Sequence, residues 1–268
     1  MSYYDFVCVD SVRRYVLNPD MRLSSEVKNV VVFSFSFRAK TPVHVGSGMK
    51  EVRHRGGQVE VVLKHYRNGF GRLVIPGSSF KGAISTNFLA LSGSMEDTSN
   101  LFGATKRIAI ISKVLFSDLT PDSDKVVEKD VLRQWSPRKG KRNCVKFYTG
   151  RAPKTEYYGK LECLPEGSRL DGEVVGYNLK PYEVGGLLAS AGYGFEGVFK
   201  IGYGKPQGFG QMKLEKASVK LVKIRGFKIK EQKFEAENLD EFLHAFEERY
   251  SKRKIREIAR KVFAEVKV

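Results

Sequence analysis

The segment at positions 30–37 constrains the fold more than any other part of this sequence. It reads VVVFSFSF, with Phe33, Phe35 and Phe37 at every second position. Side chains at alternate positions of a β-strand point to the same face, so this pattern predicts a strand with one phenylalanine-rich face. Such a face needs a second layer packed on it, because exposing three phenylalanines to water is unfavourable.

The remaining pattern predicts short strands alternating with helices. A helix should begin at 76–79, with Ser78 or Ser79 as its N-cap and apolar residues at helical spacing. A second helix is predicted at 181–191, and a capping-box pattern at 238–241 should start a long C-terminal helix. Other predicted segments are strands at 59–63, 72–75, about 107–116, about 169–177 and 211–222, and a polar linker at 225–237. This order predicts an α+β fold with helices against one mainly antiparallel sheet.

Composition excludes several classes of protein. Of the 268 residues, 41% are hydrophobic, which argues against a disordered or fibrous chain. No run approaches the roughly 18 apolar residues of a membrane span, and no secretory signal pattern is visible, so we expect a cytoplasmic protein without membrane contact. Cys8, Cys144 and Cys163 are widely separated and lack C-x-x-C spacing. They are predicted to be buried or half-buried thiols, forming neither a zinc site nor a disulfide framework.

The charge of the chain points to a polyanionic partner. There are 47 lysines and arginines against 30 acidic residues, which gives a formal net charge of +17. Such an excess most often indicates nucleic acid, although a solvated basic surface is the simpler alternative. The stretch 125–160 is the most basic, with eleven lysines and arginines against three acidic residues.

The centre of this basic stretch surrounds the only tryptophan. Trp135 lies among Arg138, Lys139, Lys141 and Arg142, next to a proline and a glycine that favour a protruding loop or hairpin. The cations would meet phosphates, and an exposed indole would stack on an unpaired base. In the alternative interpretation, Trp135 folds back into the core and the segment is only a solvated loop.

Glycine is concentrated before the last of the predicted strands. Nine of the 26 glycines lie at 185–210, where Gly204, Gly208 and Gly210 are interleaved with Lys205 and aromatic residues. A G-x-G-x-x-G match here follows a helix rather than a strand, which argues against a dinucleotide-binding turn. Backbone without side chains can approach a ligand closely, so this stretch is predicted to support a polynucleotide backbone. The alternative is a set of tight turns between two elements.

Three histidines and two glutamates lie close together in the sequence. His44, His54 and His65 are near Glu51 and Glu60, a combination that could serve acid–base cleavage of RNA or metal binding. Each histidine taken singly is more often a hydrogen-bonded structural residue. The chain has no H-E-x-x-H motif and no nucleophile elbow.

Several blocks together resemble one known family. In chain order they read TPVHVGSG at 41–48, IPGSSFKG at 75–82, LFG at 101–103, TGRAP at 149–153, EYYGKLE at 156–162 and IGYGKPQGFG at 201–210. Over roughly residues 30–222 the sequence resembles the RAMP superfamily, the repeat-associated proteins of CRISPR systems. Within it, the sequence most resembles the repeating backbone subunit of type III effector complexes.

The resemblance implies a modified RRM-like, ferredoxin-like core with insertions, and the predicted C-terminal helix lies outside it. We therefore divide the chain into an N-terminal extension (1–29), a core domain (30–224) with a basic thumb-like insertion at about 122–147, and a linker with the C-terminal helix (225–268). The implied partners are CRISPR RNA, target RNA and other subunits of the same complex, in several adjacent copies or with paralogues.

The same resemblance assigns roles to residues at the start of the first predicted helix. Ser78, Ser79 and Lys81 are implied to contact guide phosphates, and the dipole and free amides of a helix N-terminus favour the same ligand. The alternative is a simple cap and a surface charge. Where the family often has an arginine four residues after the lysine, this chain has Ser85.

Cleavage is the point at which the chain departs from the family pattern. The resemblance implies that cleaving members carry an aspartate in the loop after the HVGSG block, where it supports metal-dependent cutting of target RNA. The corresponding stretch at 49–61 contains no aspartate and has Val59 at the matching position. Glu60 or Glu51 could substitute with Mg²⁺ or Mn²⁺, and no other cofactor is expected.

We interpret the protein as an RNA-binding subunit that does not cut its target. Two alternatives stay open at this point. One is an active endoribonuclease, including a metal-independent processing enzyme that uses His44 or His54. The other is a basic scaffold that binds another subunit without RNA.

Overall fold

The computed structural model describes residues 3–9, 27–105, 109–133, 143–153, 155–225, 228–234 and 236–267. The helices are α1 (Gly77–Ser92), α2 (Met95–Phe102), α3 (Pro181–Ala191), α4 (Ala236–Tyr250) and α5 (Lys252–Val262). The strands are β1 (Tyr4–Cys8), β2 (Asn29–Ala39), β3 (Gly46–Arg55), β4 (Gln58–His65), β5 (Val114–Phe116), β6 (Thr120–Pro121), β7 (Val127–Leu132), β8 (Cys144–Tyr148), β9 (Tyr157–Cys163), β10 (Arg169–Tyr177), β11 (Phe199–Lys200), β12 (Gln211–Arg225) and β13 (Lys228–Phe234). In this part of the chain, no helix is both long and apolar enough to cross a membrane.

The central sheet has the strand order β12-β2-β10-β5, and its neighbouring strands run antiparallel. A second sheet is inserted in two places, with β3 and β4 between β2 and α1, and β7 and β9 between β5 and β10. Without these strands and the short elements α2, β6, β8 and β11, the chain order is β2-α1-β5-β10-α3-β12. This βαββαβ connectivity is that of a ferredoxin-like core, so the predicted α+β, RRM-like architecture is confirmed. At the margins, β11 and β13 pair with β12, and β6 pairs with β10.

The phenylalanine face of β2 forms the centre of the core, as its alternation predicts. Phe33 and Phe37 are fully buried, whereas Ser34 between them is exposed. Phe80 of α1 packs edge-on against Phe37, with the ring centroids 5.9 Å apart. Burial of each such side chain stabilises the fold by about 1.5–3 kcal/mol. Helix α1 therefore covers this face of the central sheet.

A second sheet and a two-stranded ribbon accompany the central sheet, so the prediction of a single sheet is wrong. The second sheet has the order β3-β4-β9-β7, and β1 pairs with β8 in the ribbon. The stretch at 49–61, interpreted as a loop, is mostly the hairpin of β3 and β4, which turns at Gly56 and Gly57. Charged side chains on this sheet pair across strands, as Arg53 does with Glu128 at 2.8 Å. Such a strand lacks the apolar alternation by which β2 is recognised.

Two shorter predictions of strands also differ from the structure. The stretch at 72–75 forms isolated bridges, with Leu73 opposite Arg67 and Ile75 opposite Leu119, rather than a strand. Of the strand predicted at about 107–116, the described part is a strand only at Val114–Phe116, because these three are the only residues of that part that pair with β10.

The C-terminal region contains more structure than a linker and one helix. Most of the polar stretch at 225–237 is strand β13, which pairs antiparallel with β12. Its alternating charged residues resemble a linker in sequence, but an edge strand tolerates them because its outer side faces solvent. The predicted long helix is interrupted at Ser251, whose φ of 75° is not helical, and continues as α5.

Two of the three cysteines form a disulfide, Cys8–Cys144, contrary to the prediction from spacing. The pairing of β1 with β8 places the two residues directly opposite each other. They are 136 residues apart in sequence, so only strand pairing reveals their proximity. Cys163 is a buried thiol, as predicted, and burial raises its pKa to about 12.

Candidate nucleic-acid interface

The glycine-rich stretch folds back on itself and packs against the TPVHVGSG block. The amide of Ile201 donates to the carbonyl of Gly210 at 2.9 Å, and the amide of Gly210 donates to the carbonyl of Pro42 at 2.9 Å. Gly210 has a φ of 74°, and a Cβ at this position would lie 1.9 Å from the carbonyl oxygen of Ile201. The stretch is therefore a compact set of turns that requires glycine here.

The same turns hold the base of the basic insertion. The side chain of Gln207 donates to the carbonyl of Leu132 at 2.8 Å and accepts from the amide of Leu132 at 3.1 Å. The amide of Ala152, in the TGRAP block, donates to the carbonyl of Pro206 at 2.7 Å. Blocks that are far apart in sequence thus meet around one short 3₁₀ turn at Lys205–Gln207.

A cavity of about 330 Å³ opens beside these turns. It lies between α1, β8, β11 and α5, and three lysines on three different elements line it: Lys146, Lys200 and Lys205. The other lining residues are Ser79, Gly82, Ala83, Thr86, Asn87, Phe147, Tyr148, Ile201, Gly202 and Val262. Three ammonium groups with hydroxyl and amide neighbours are suited to an anion such as phosphate.

The charges of the three lysines are not neutralised by ion pairs in the described part of the chain. Within the described part of the chain, none of Lys146, Lys200 and Lys205 forms an ion pair with a carboxylate. Burial lowers the pKa of all three, and burial together with the nearby Lys205 lowers the pKa of Lys200 to about 8. An anion in the cavity would offset this desolvation cost by stabilising the charged forms.

Backbone carbonyls fix the position of the Lys200 ammonium. Its Nζ donates to the carbonyl of Tyr148, at the end of β8, at 2.9 Å and to the carbonyl of Ala264, beyond α5. The lysine therefore ties β11, β8 and the C-terminal tail together at the wall of the cavity. Its orientation is set before any ligand arrives.

The structure brings together some of the residues predicted from sequence but not others. Ser79 and Lys205 line the same cavity, and Gly204 and Gly208 flank the turn that carries Lys205. Ser78 is exposed and Lys81 is half-buried, but neither lines the cavity. The residues predicted in the insertion lie outside the described residues: Trp135, Arg138, Lys139, Lys141 and Arg142.

The N-terminus of α1 differs from the prediction of an open phosphate site. Pro76 is the N-cap, with φ −55° and no side-chain hydrogen bond, so neither serine caps the helix as predicted. The amide of Gly77 donates to Asp118 Oδ1 at 2.8 Å, so a carboxylate already occupies part of the helix N-terminus. Burial lowers the pKa of Lys81.

Two lysines of the cavity were not singled out by sequence reasoning. Lys146 lies within the predicted insertion at about 122–147, but its charge is not distinctive among so many cations. Lys200 precedes the glycine-rich block by one residue, and no local pattern marks it. The one feature of the sequence that sets Lys200 apart is its position within the otherwise apolar segment VFKI.

The candidate catalytic glutamates are held in ion pairs on the second sheet. Glu51 accepts from Arg53 Nε at 2.6 Å and from Lys64 Nζ at 3.2 Å, which lowers its pKa to about 2. Glu60 lies 2.9 Å from Lys160 Nζ. Among the residues that the structure describes, no group of three histidine, cysteine, aspartate or glutamate side chains is placed to hold a metal ion.

Two of the histidines are packed inside the protein. His44 Nδ1 lies 2.7 Å from the carbonyl oxygen of Glu162, and His65 Nε2 lies 3.2 Å from that of Val74. Burial lowers the pKa of both, in His65 to about 4, so the rings are neutral near pH 7. His54 is exposed on β3. The two buried rings therefore serve the packing between the second sheet and the glycine-rich turns.

Comparison with known proteins identifies the family of the chain. A model of the RAMP superfamily matches residues 36–264, which is most of the chain. No curated protein matches the sequence. Among solved structures, the chain is similar to one in the Csm3–Csm4 subcomplex of the type III-A CRISPR-Cas interference complex, with 18% identity, a TM-score of 0.46 and coverage of 83% of this chain and 97% of the other. On the family match, the chain belongs to the RAMP superfamily.

Proposed function

We propose that this protein is an RNA-binding backbone subunit of a type III CRISPR RNA-guided interference complex. In this role it holds CRISPR RNA and its duplex with target RNA in antiviral defence, beside other subunits in adjacent copies or with paralogues. The observation that carries the proposal is the cavity at the glycine-rich turns, where Lys146, Lys200 and Lys205 form no ion pair with a carboxylate in the described part of the chain.

The chemistry of this cavity favours the backbone of a nucleic acid over its bases. Ammonium groups bind phosphate oxygens, which every nucleotide carries, and so they give affinity without sequence preference. In an RNA-guided complex, base pairing with the guide supplies the sequence specificity. A subunit that contacts only phosphates and shape is therefore sufficient for this function.

The direct test is the affinity for guide RNA of a variant at the cavity. We expect Lys205→Ala to weaken binding by about 1.5–3 kcal/mol, the range for a hydrogen bond to a charged group. The matched control is Lys233→Ala, which removes the same charge from the exposed face of β13. Equal affinities of wild type and Lys205→Ala, with both proteins folded by circular dichroism, would reject the cavity as the RNA site.

The basic insertion and the start of α1 are proposed as further RNA contacts. In the insertion, Trp135→Ala should weaken RNA binding by about 1–3 kcal/mol and leave the melting temperature nearly unchanged. Replacement of a tryptophan in the core would instead lower the free energy of unfolding by about 3–5 kcal/mol.

Lys81→Ala should weaken guide binding by about 1–3 kcal/mol if its ammonium reaches a phosphate.

We propose further that this subunit does not cut target RNA. Glu51 and Glu60 are engaged by basic side chains, and a divalent metal would have to displace these cations to be bound. Guide-loaded complex should therefore give the same products from labelled target RNA, in Mg²⁺ or Mn²⁺, with Glu51→Ala or Glu60→Ala as with wild type. Regularly spaced products that disappear with Glu60→Ala would instead identify an active endoribonuclease.

Two measurements separate this function from the remaining alternatives. RNA that copurifies with the expressed protein, seen as an absorbance ratio shifted towards 260 nm, would reject a scaffold that works without RNA. Cleavage of repeat RNA in EDTA would favour a metal-independent processing enzyme that uses His44 or His54. Burial of His44 argues against the use of this residue, because its ring is enclosed and hydrogen-bonded to backbone, whereas His54 is exposed.

A further inference from the structure

A cluster of tyrosines lies next to the lysine cavity and has no role in the function proposed above. The Nζ of Lys146 lies 5.8 Å from the ring centroid of Tyr3, 3.9 Å from that of Tyr4 and 4.9 Å from that of Tyr148. The rings of Tyr3 and Tyr148 are nearly parallel, with an interplanar angle of 9° and centroids 6.4 Å apart. All three rings are half-buried, so part of each remains accessible.

Regular structure holds these rings in place. The backbone carbonyl of Tyr3 accepts from the amides of Thr149 and Gly150, both at 3.1 Å. Tyr4 lies opposite Tyr148 in the pairing of β1 with β8, and the Cys8–Cys144 disulfide joins the other end of the same two strands. The N-terminal strand thus presents Tyr3 at a fixed position beside β8.

The tyrosine cluster and the lysine cavity are one continuous surface. Lys146 and Tyr148 belong to both, and Lys200 donates to the backbone carbonyl of Tyr148. An anion bound in the cavity would therefore lie beside the aromatic rings. This adjacency of cations to aromatic rings is the pattern by which proteins bind single-stranded nucleic acids.

We propose that the N-terminal strand completes a nucleotide site, in which the base of an unpaired RNA nucleotide stacks on Tyr3 and Tyr148 while its phosphate binds Lys146, Lys200 and Lys205. This inference rests on the proposed RNA-binding function and adds a contact with the base. A cationic ligand in the aromatic cluster is disfavoured, because the nearby Lys146 ammonium would repel it. Stacking tolerates any base, so the site adds affinity without sequence preference.

The test compares two ligands that share phosphates but differ in bases. A short single-stranded oligouridine and an oligomer of the same length made of abasic sites are titrated against the full chain by fluorescence anisotropy. Wild type should bind oligouridine about 5- to 150-fold more tightly, the range for one stacked base. Tyr3→Ala should abolish most of this preference and keep the affinity for the abasic oligomer, whereas Tyr3→Phe should retain the preference. Tyr177→Ala, on β10, is the control and should behave as wild type.

The outcomes separate this inference from the function on which it rests. If wild type binds both oligomers equally and salt weakens both, the lysine cavity stands and the stacking site is wrong. If wild type binds neither oligomer, both proposals fail. Photocrosslinking of 5-iodouridine RNA adds a readout that needs no variant: the crosslink should map to Tyr3 or Tyr148, and crosslinks found only elsewhere would overturn the site.

Discussion

At the scale of single residues, the environment of Lys200 gives it a property that surface lysines lack. Burial and the neighbouring Lys205 lower its pKa to about 8, and its Nζ is held by the carbonyls of Tyr148 and Ala264. In the unfolded chain a lysine titrates near its ordinary value of 10.5. Between about pH 8 and 10.5 the unfolded chain binds more protons at this lysine than the folded protein does. The free energy of unfolding of the free protein should therefore increase over this range, and deprotonation of Lys200 does not favour unfolding.

RNA affinity should accordingly depend on the protonation of Lys200. Binding of a phosphate favours the charged form, so the dissociation constant should rise as pH increases above 8, by at most about tenfold per pH unit. Lys200→Arg stays charged throughout this range and should flatten the dependence. The measurement is the affinity for oligouridine between pH 7 and 9.5 at constant salt. A steep rise that is identical in wild type and Lys200→Arg would contradict the assignment.

Glu162 is a second residue whose ionisation is coupled to its surroundings. Burial by itself would raise the pKa of this carboxyl, but hydrogen bonds from Arg67, Lys64 and the amide of His65 outweigh it and lower the pKa to about 2. Its side chain is only 5% exposed. The resulting stability is present above the ordinary value of 4.5 and is lost as pH falls from there towards 2.

Replacement of Glu162 by glutamine should therefore lower the free energy of unfolding at pH 7. We expect a loss of about 1.5–3 kcal/mol, because charge-assisted hydrogen bonds become neutral ones. Urea unfolding at pH 7 and pH 3 measures this loss. The difference in the free energy of unfolding between wild type and variant should be smaller at pH 3 than at pH 7. Glu248→Gln, on the exposed face of α4, is the control and should change stability by less than about 0.5 kcal/mol.

At the scale of elements, the ribbon of β1 and β8 depends on a covalent link between distant segments. The Cys8–Cys144 disulfide closes a loop of 136 residues in sequence. In the chain-entropy description, a link across a loop of this size stabilises the fold by up to about 4–5 kcal/mol. A reductant should therefore lower the melting temperature of the wild type. Cys8→Ser should melt at the temperature of the reduced wild type, with or without reductant. A melting temperature of the wild type that does not change on reduction would show that the disulfide contributes little to stability.

The glycine-rich turns are a second element whose geometry is testable. Gly210→Ala must adopt a positive φ and place a Cβ against the carbonyl of Ile201. The two effects together should cost about 2–5 kcal/mol. Gly69→Ala is the matched control, since a Cβ there meets nothing within 4 Å and φ is not positive. Thermal unfolding of the two variants measures this cost, and the RNA affinity of each variant that remains folded is then measured. A loss of stability indicates a structural role of Gly210, whereas a loss of RNA affinity in a folded variant indicates a direct contact.

At the scale of the whole molecule, a net charge of +17 should dominate association with RNA. For single strands, the logarithm of the binding constant falls with the logarithm of salt concentration at about 0.7 per neutralised phosphate. Three cavity lysines alone predict a slope of about −2, and the basic insertion should make it steeper. Lys205→Ala should reduce the slope by about 0.7, and the slope should be the same for different spacer sequences. A slope near zero would reject the phosphate-based mode of binding.

Local periodicity was sufficient to predict several elements of the fold. The alternating phenylalanines predicted β2, and helical spacing predicted α1, because these patterns depend on residues near one another in the chain. The helix predicted at 181–191 is α3. The sequence blocks predicted the superfamily and, through it, the ferredoxin-like core. They also pointed to Ser79 and Lys205, which share the cavity.

Only the tertiary structure decided which distant residues meet. Strand pairing places Cys8 opposite Cys144, and the cavity between α1, β8, β11 and α5 brings Lys146 beside Lys200 and Lys205. Any strand offers the same backbone donors and acceptors, so the residues of a strand do not by themselves determine which strand pairs with it. It follows from how the whole chain buries its apolar faces, which is why Lys200, in a short strand without a local motif, became recognisable only beside Lys146 and Lys205.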